Sequence, residues 1–213
     1  KEKKLTQKIK KHLKIYGEHN LSNALGVYKL AKALGVKEKN ILTAFSKYHG
    51  AWRRMEYRGK LRIAGGKWQI PVYDDYAHHP TEIKATLYAF REKFPKAKII
   101  CVFQPHQQER LKKLFKEFSS AFDEADTLIL LDIFKVTGRE KAGVRNEEIG
   151  SRKLAEAIRK RKGAPEVIYL PHPNKLKGLL KSQITNHKSQ SVVIMMGAGD
   201  IVELTPRLVA SSK

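Results

Sequence analysis

From residue 80 onward, short apolar runs alternate with stretches whose apolar residues recur at helical spacing, a rhythm that few folds accept. The runs fall at 99–103, 127–131, 167–170 and 192–196. Helical spacing is carried by Ile83, Leu87 and Phe90 over 80–93, then by Leu111, Leu114, Phe115, Phe118 and Phe122, and again over 151–162 and 173–184. Strands apolar on both faces must be covered on both, and a helix between successive strands makes them parallel. The pattern predicts an α/β fold with a mostly parallel sheet and helices on both faces.

Ahead of this rhythm the chain reads differently. Leu21, Ala24, Leu25, Tyr28, Ala31 and Leu34 predict one helix, Gly35 its stop, and Ile41, Leu42 and Phe45 a second helix. Residues 61–64 and 68–73 read as a hairpin turning through Gly65-Gly66, with Pro71 suited to an edge or irregular strand. Two helices and a hairpin are too little for a layered core. The expected division is therefore 1–72, a piece of one domain, and 73–213, a complete Rossmann-like domain.

Charge raises the question of partners. Lys and Arg number 43 against 21 Asp and Glu, a formal charge of +22 that invites a nucleic-acid reading. The lysines are scattered, however, at positions such as Lys112, Lys113, Lys160 and Lys162 that suit solvated helix faces; attraction to polyanionic small substrates is the alternative. Cys101 stands alone in an apolar run, which excludes an intrachain disulfide. No signal peptide or long apolar span is present, and the first residue is Lys1, so the expectation is a cytoplasmic, non-membrane protein and the carboxy-terminal part of a longer one.

Three junctions after expected strands gather polar residues: 74–82, 104–110 and 197–200. In a parallel sheet all strand carboxyl ends share one edge, so the three should face a common crevice. Each also has a plainer reading. His78 and His79 are adjacent and on extended backbone point apart, a poor metal pair. Asp75 could cap the helix starting near Pro80, and Arg110 could be a surface charge. Gly197-Ala198-Gly199-Asp200 lacks the third glycine of a dinucleotide fingerprint, although its glycines permit a turn and a helix start that meets an anion. Arg53 and Arg54 beside Trp52 are a solvated pair or a phosphate clamp. The helices over 21–48 resemble a helix-turn-helix, which would make the chain a nucleic-acid-binding regulator. The charged turn Lys37-Glu38-Lys39-Asn40 speaks against that, and the preceding 17–23 has no task in it.

That segment carries a resemblance. Gly17-Glu18-His19-Asn20-Leu21-Ser22-Asn23-Ala24 is similar to the Gly-x-His-Asn-x-x-Asn-Ala motif of the Mur ligases, and Gly50-Ala51-Trp52-Arg53-Arg54-Met55-Glu56 to the arginine-bearing end of that family's central domain. Asp74-Asp75-Tyr76-Ala77-His78-His79-Pro80-Thr81-Glu82, Phe103-Gln104-Pro105-His106 and Gly197-Ala198-Gly199-Asp200-Ile201 follow in the family's order, so the resemblance runs from about 17 to 209. The strings at 74–82 and 103–106 resemble most the member that joins L-alanine to UDP-N-acetylmuramate.

The resemblance implies three domains, of which this chain would hold the end of the central ATPase domain (1–72) and the carboxy-terminal domain (73–213). It implies ATP and Mg²⁺ as cofactors, with the Gly-x-x-Gly-Lys-Thr/Ser phosphate loop and the magnesium ligands outside this chain. It implies UDP-N-acetylmuramate and L-alanine as further substrates, an acyl phosphate intermediate, and no nucleic acid. By the same resemblance Asn20 and Asn23 hold the adenine, Arg54 the ATP phosphates, Asp75 the ribose, and Tyr76 lies against the nucleotide. His78, His106 and Arg110 face the alanine, Arg110 pairing its carboxylate. Arg54 and His78 are the catalytic candidates. Many members have an arginine where this chain has Gln107, which leaves amino-acid selectivity open and keeps the sister enzyme that attaches recycled tripeptide as the alternative.

Overall fold

The computed structural model describes residues 2–63, 68–134, 150–185 and 190–209. Three helices come first: α1 (Glu2–His12), α2 (Glu18–Ala33) and α3 (Glu38–Lys47). They close on a small core of Ile9, Ala24, Tyr28, Ile41, Leu42 and Phe45. Helix α1 is not among the expected elements, although Leu5, Ile9 and Leu13 recur at helical spacing among its lysines and pack on this core.

A six-stranded sheet follows, formed by β1 (Glu56–Ile63), β2 (Trp68–Asp75), β3 (Lys98–Phe103), β4 (Thr127–Leu131), β5 (Glu166–Leu170) and β6 (Ser191–Met196). The spatial order is β1-β2-β6-β3-β4-β5. Only β1 is antiparallel to its neighbour; the other pairings are parallel. Strand alternation splits the core in two. Ile99, Cys101 and Phe103 of β3 join Ile83, Leu87 and Phe90 on one face, while Ile100 and Val102 join Leu176, Leu180 and Ile184 on the other. Phe90, Phe103, Phe118 and Phe122 are fully buried, each stabilising the fold by about 2–3 kcal/mol.

The helices are α4 (Pro80–Lys93), α5 (Gln108–Lys113), α6 (Phe115–Ser119), α7 (Ser151–Arg159), α8 (Leu176–Thr185) and α9 (Leu204–Val209). Several depart from the sequence pattern. The helix expected around Leu111 to Phe122 breaks at Leu114, whose φ of −114° and ψ of 25° leave the α region, so α5 and α6 are separate and Phe122 lies beyond both. The stretch 173–184 begins as a 3-10 turn, Pro173–Lys175, before α8.

The hairpin is not confined to the helical piece. From Val72 to Asp75, β2 pairs with β6, so the expected division at 72/73 falls inside a strand of the larger sheet. A two-stranded hairpin is marginal alone, and joining β6 makes it part of a sheet whose face buries Ile70 and Val72 with Val193, Ile201 and Leu208. Pro71 accordingly sits on an interior strand and not an edge. It is tolerated because β6 joins only from Val72, leaving Pro71 paired with Lys60 on one side alone. The Gly65-Gly66 turn lies outside the described residues. Most important for the site, β6 returns from the far edge to lie between β2 and β3, which sets the carboxyl ends of these three strands side by side.

Candidate functional site

The three polar junctions meet at that edge. Gly197 N–H donates to the Asp75 carbonyl (3.0 Å) and Gln104 N–H to the Met196 carbonyl (3.1 Å). The Gln104 side chain donates to Asp200 Oδ1 (2.8 Å) and accepts from Ile201 N–H (3.2 Å). Gly197 makes the approach possible: at φ 149°, a Cβ there would stand 2.8 Å from the Gln104 carbonyl oxygen. The Ile201 amide, a candidate for meeting an anion, is taken by Gln104.

Between β2 and α4 the chain is fixed by its own polar groups. His79 is the N-cap of α4, its Nδ1 accepting from Thr81 N–H, and Pro80 occupies the first turn. Glu82 accepts from the His78 and His79 amides (3.1 and 3.3 Å). Burial pushes the Glu82 carboxyl up, but these amides and the nearby His78 and Arg54 charges bring it below its ordinary value. Asp75 is therefore not the cap. Its buried carboxylate accepts from Ala77 N–H and Thr86 Oγ1 at one oxygen and from Met55 N–H (2.9 Å) at the other. Burial raises its pKa despite these donors. The oxygen facing Met55 keeps one lone pair for a ligand.

A cleft of about 470 Å³ opens between α2 and this junction. Asn20, Asn23, Arg54 and Asp75 all line it, with His19, Glu82 and Lys93. Asn20 already donates to the Tyr16 carbonyl (2.7 Å), which orients its amide and leaves the oxygen free to accept. Arg54 is an exposed cation of the wall, as is Lys14, and lies 4.0 Å from Glu82. Lys93 adds a half-buried ammonium over the rings of Tyr73, Tyr16 and Phe94 at 4.7, 5.2 and 5.5 Å, and burial lowers its pKa.

Tyr76, His78, His106 and Arg110 do not line the cleft but form a second group beside it. The link is a relay of rings: Arg54 lies over Tyr76 (5.6 Å), Tyr76 meets His78 edge-on (5.3 Å), and His78 faces His106 (6.3 Å). His78 Nδ1 is 3.0 Å from the Tyr76 carbonyl. A carbonyl only accepts, so Nδ1 carries a proton, and in the neutral ring Nε2 is then the acceptor. His106 stacks on Phe134 (5.4 Å, 17°). Burial lowers the His106 pKa, helped by the charges of Arg110 and His78. His106 Nδ1 and one terminal nitrogen of Arg110 are buried without a hydrogen-bond partner among the described residues. Such atoms call for a polar partner, which a water, an ion or a ligand can supply.

Sequence reasoning missed the inward turn of Arg53, the stacking of Phe134 and the amide-holding role of Glu82. Only Glu82 had any signal, its place in the first turn of the helix expected over 80–93. Among the described residues no group of three or more His, Cys, Asp and Glu stands ready to hold a metal ion, and no helix is long and apolar enough to cross a membrane.

Comparison with known proteins gives this geometry relatives. Residues 53–199 match the family model described as Mur ligase, glutamate ligase domain. The UDP-N-acetylmuramate–L-alanine ligase of Acetivibrio thermocellus is 42% identical over 193 residues, 90% of this chain and 37% of that protein. That of Agathobacter rectalis is 34% identical over 192 residues, 90% of this chain and 38% of the relative. The solved UDP-N-acetylmuramate-alanine ligase of Thermotoga maritima superposes with a TM-score of 0.69 at 25% identity, covering 93% of this chain and 38% of that one. The chain thus spans somewhat under two fifths of the length of these relatives. With the match over 53–199 and relatives 34–42% identical over 90% of its length, the chain belongs to the Mur ligase family.

Proposed function

We propose that this chain supplies the carboxy-terminal part of an enzyme that joins L-alanine to the lactyl carboxylate of UDP-N-acetylmuramate with consumption of ATP. The observation that carries the reading is the ring relay from Arg54 to His106, which joins a cleft of nucleotide size to a group with two buried polar atoms that lack a hydrogen-bond partner among the described residues. In this reading α1–α3 belong with an ATPase domain otherwise outside the chain, and the sheet with its helices is the amino-acid-bearing domain. Nucleic acid has no place in it, since Asn20 and Asn23 of α2 serve the cleft.

The chemistry follows from the groups. A carboxylate is a poor electrophile. Transfer of the γ-phosphoryl group to a carboxylate oxygen releases ADP and converts that oxygen into a leaving group. The amine of alanine then forms the C–N bond, the C–O bond to phosphate breaks, and inorganic phosphate departs. Arg54 is the cation placed for the phosphoryl oxygens. Asn20 and Asn23 hold the adenine edge, the remaining lone pair of Asp75 takes a ribose hydroxyl, and Tyr76 spans the two halves. Alanine arrives as an ammonium and must lose a proton; in the neutral ring of His78, whose Nδ1–H faces the Tyr76 carbonyl, Nε2 is the atom that accepts it. Arg110 pairs the alanine carboxylate, with His106 beside it. Magnesium would assist the phosphoryl transfer, but no described set of carboxylates here fits it, and no step above relies on one.

The assignment is tested in the complete enzyme carrying this sequence. Arg110→Ala should raise KM for alanine about 10–100-fold while KM for ATP stays within about twofold. Asn20→Ala should do the reverse. Equal loss of both affinities in either variant would contradict the division of the site.

A further inference from the structure

We propose that Arg53, and not only its exposed neighbour Arg54, is required in the site: it is a positioning residue that clamps the segment 53–55 onto the ends of β2 and β6 and so sets the direction of Arg54. The inference rests on the nucleotide reading of the cleft for its functional part and on geometry alone for the clamp.

Arg53 is only 3% exposed, whereas the Arg54 side chain is 47% exposed. A buried guanidinium without a direct ion pair among the described residues is costly, so other contacts must hold it in place. One terminal nitrogen donates to the carbonyl of Gly197, and Cζ lies 5.0 Å from the Tyr76 ring and 5.5 Å from that of Trp52. The backbone of the same residue is held too. Its N–H donates to Glu56 Oε2 (2.8 Å) and its carbonyl accepts from Tyr76 N–H (2.7 Å). Both Arg53 (φ 53°) and Met55 (φ 48°) sit in the left-handed region, which non-glycine residues adopt only when surroundings enforce it. Met55 in turn donates to Asp75.

The consequence is geometric. Arg54 lies between two residues whose backbones are pinned to the sheet edge, and its guanidinium shares the Tyr76 ring with Arg53. Gly197, held by Arg53 through its carbonyl and by Asp75 through its amide, belongs to the loop that Gln104 ties to β3 next to His106. One side chain therefore connects the nucleotide wall, the Tyr76 junction and the loop beside His106. Lysine cannot replace it, because a single ammonium lacks the planar fork and stacks less well on two rings.

Two measurements test the role. In this chain, Arg53→Lys should speed amide hydrogen exchange at Tyr76 and Gly197 about tenfold, with Ile194 in the middle of β6 unchanged. Unchanged exchange at both would overturn the clamp, whatever becomes of the nucleotide reading. Arg53→Gln gives the same readout should the lysine variant fail to fold. In the complete enzyme, Arg53→Lys should lower kcat about a hundredfold with a smaller change in KM for ATP. Combined with Arg54→Ala, it should be no slower than Arg54→Ala alone, because one residue acts through the other. Multiplied losses would overturn the positioning role and leave Arg53 as scaffold. If Arg54→Ala by itself left ATP use intact, the nucleotide assignment would fall and take the functional part with it, while the exchange result would still decide the clamp.

Discussion

His106 shows how much one side chain can report. Its ring is stacked on Phe134 and its Nδ1 is buried and unpartnered, so burial disfavours the imidazolium, and the charges of Arg110 and His78 add to this. The folded pKa is therefore below the unfolded one, near 6.5. Between the two values the unfolded chain binds more protons, so stability is fully present above 6.5 and is lost as pH falls through the folded pKa. Denaturant titrations at pH 7.5 and 5.5 should show a larger drop for the native chain than for His106→Gln. An equal drop would mean that His106 is not held neutral by its surroundings. At this scale the sequence was partly legible. Asn20, Arg54, Asp75, His78 and His106 stand out because a packed core has no use for them. Arg53 was not legible, since two adjacent arginines look alike until a left-handed φ turns one of them inward. For Asp75 the plainer of the two readings falls away, because the cap is His79, four residues on.

The elements show the opposite balance. The strands at 99–103, 127–131, 167–170 and 192–196 are found within one residue of expectation, because an apolar run bounded by polar turns has few alternatives. What apolar spacing cannot carry is register between distant segments, and so the entry of β2 into the sheet beside β6 was hidden. That entry also explains how α9 is held. Thr205, fully buried, donates from its hydroxyl to buried Asp74 of β2, with Arg58 3.3 Å from the same carboxylate. Thr205→Val removes the donor and leaves a buried carboxylate short of partners. It should cost about 1–3 kcal/mol and raise hydrogen exchange in α9 before the rest of the sheet. A change below about 0.5 kcal/mol would show that Arg58 alone satisfies Asp74.

At the scale of the whole molecule, two parts share one cleft: a three-helix piece offers Asn20 and Asn23, and the sheet edge offers Arg54 and Asp75. The high positive charge fits anionic nucleotides without demanding nucleic acid. Matching under two fifths of each relative, the chain is expected to bring the receiving side of the reaction and to depend on a phosphate loop supplied from outside it. By itself it should therefore release no phosphate from ATP when alanine and UDP-N-acetylmuramate are present. The most direct test measures formation of UDP-N-acetylmuramoyl-L-alanine by the complete enzyme and by these 213 residues alone, under identical conditions. The expected result is product and stoichiometric phosphate from the complete enzyme, dependent on all three substrates, and none from the isolated chain. Product from the isolated chain, or a complete enzyme indifferent to alanine, would contradict the account.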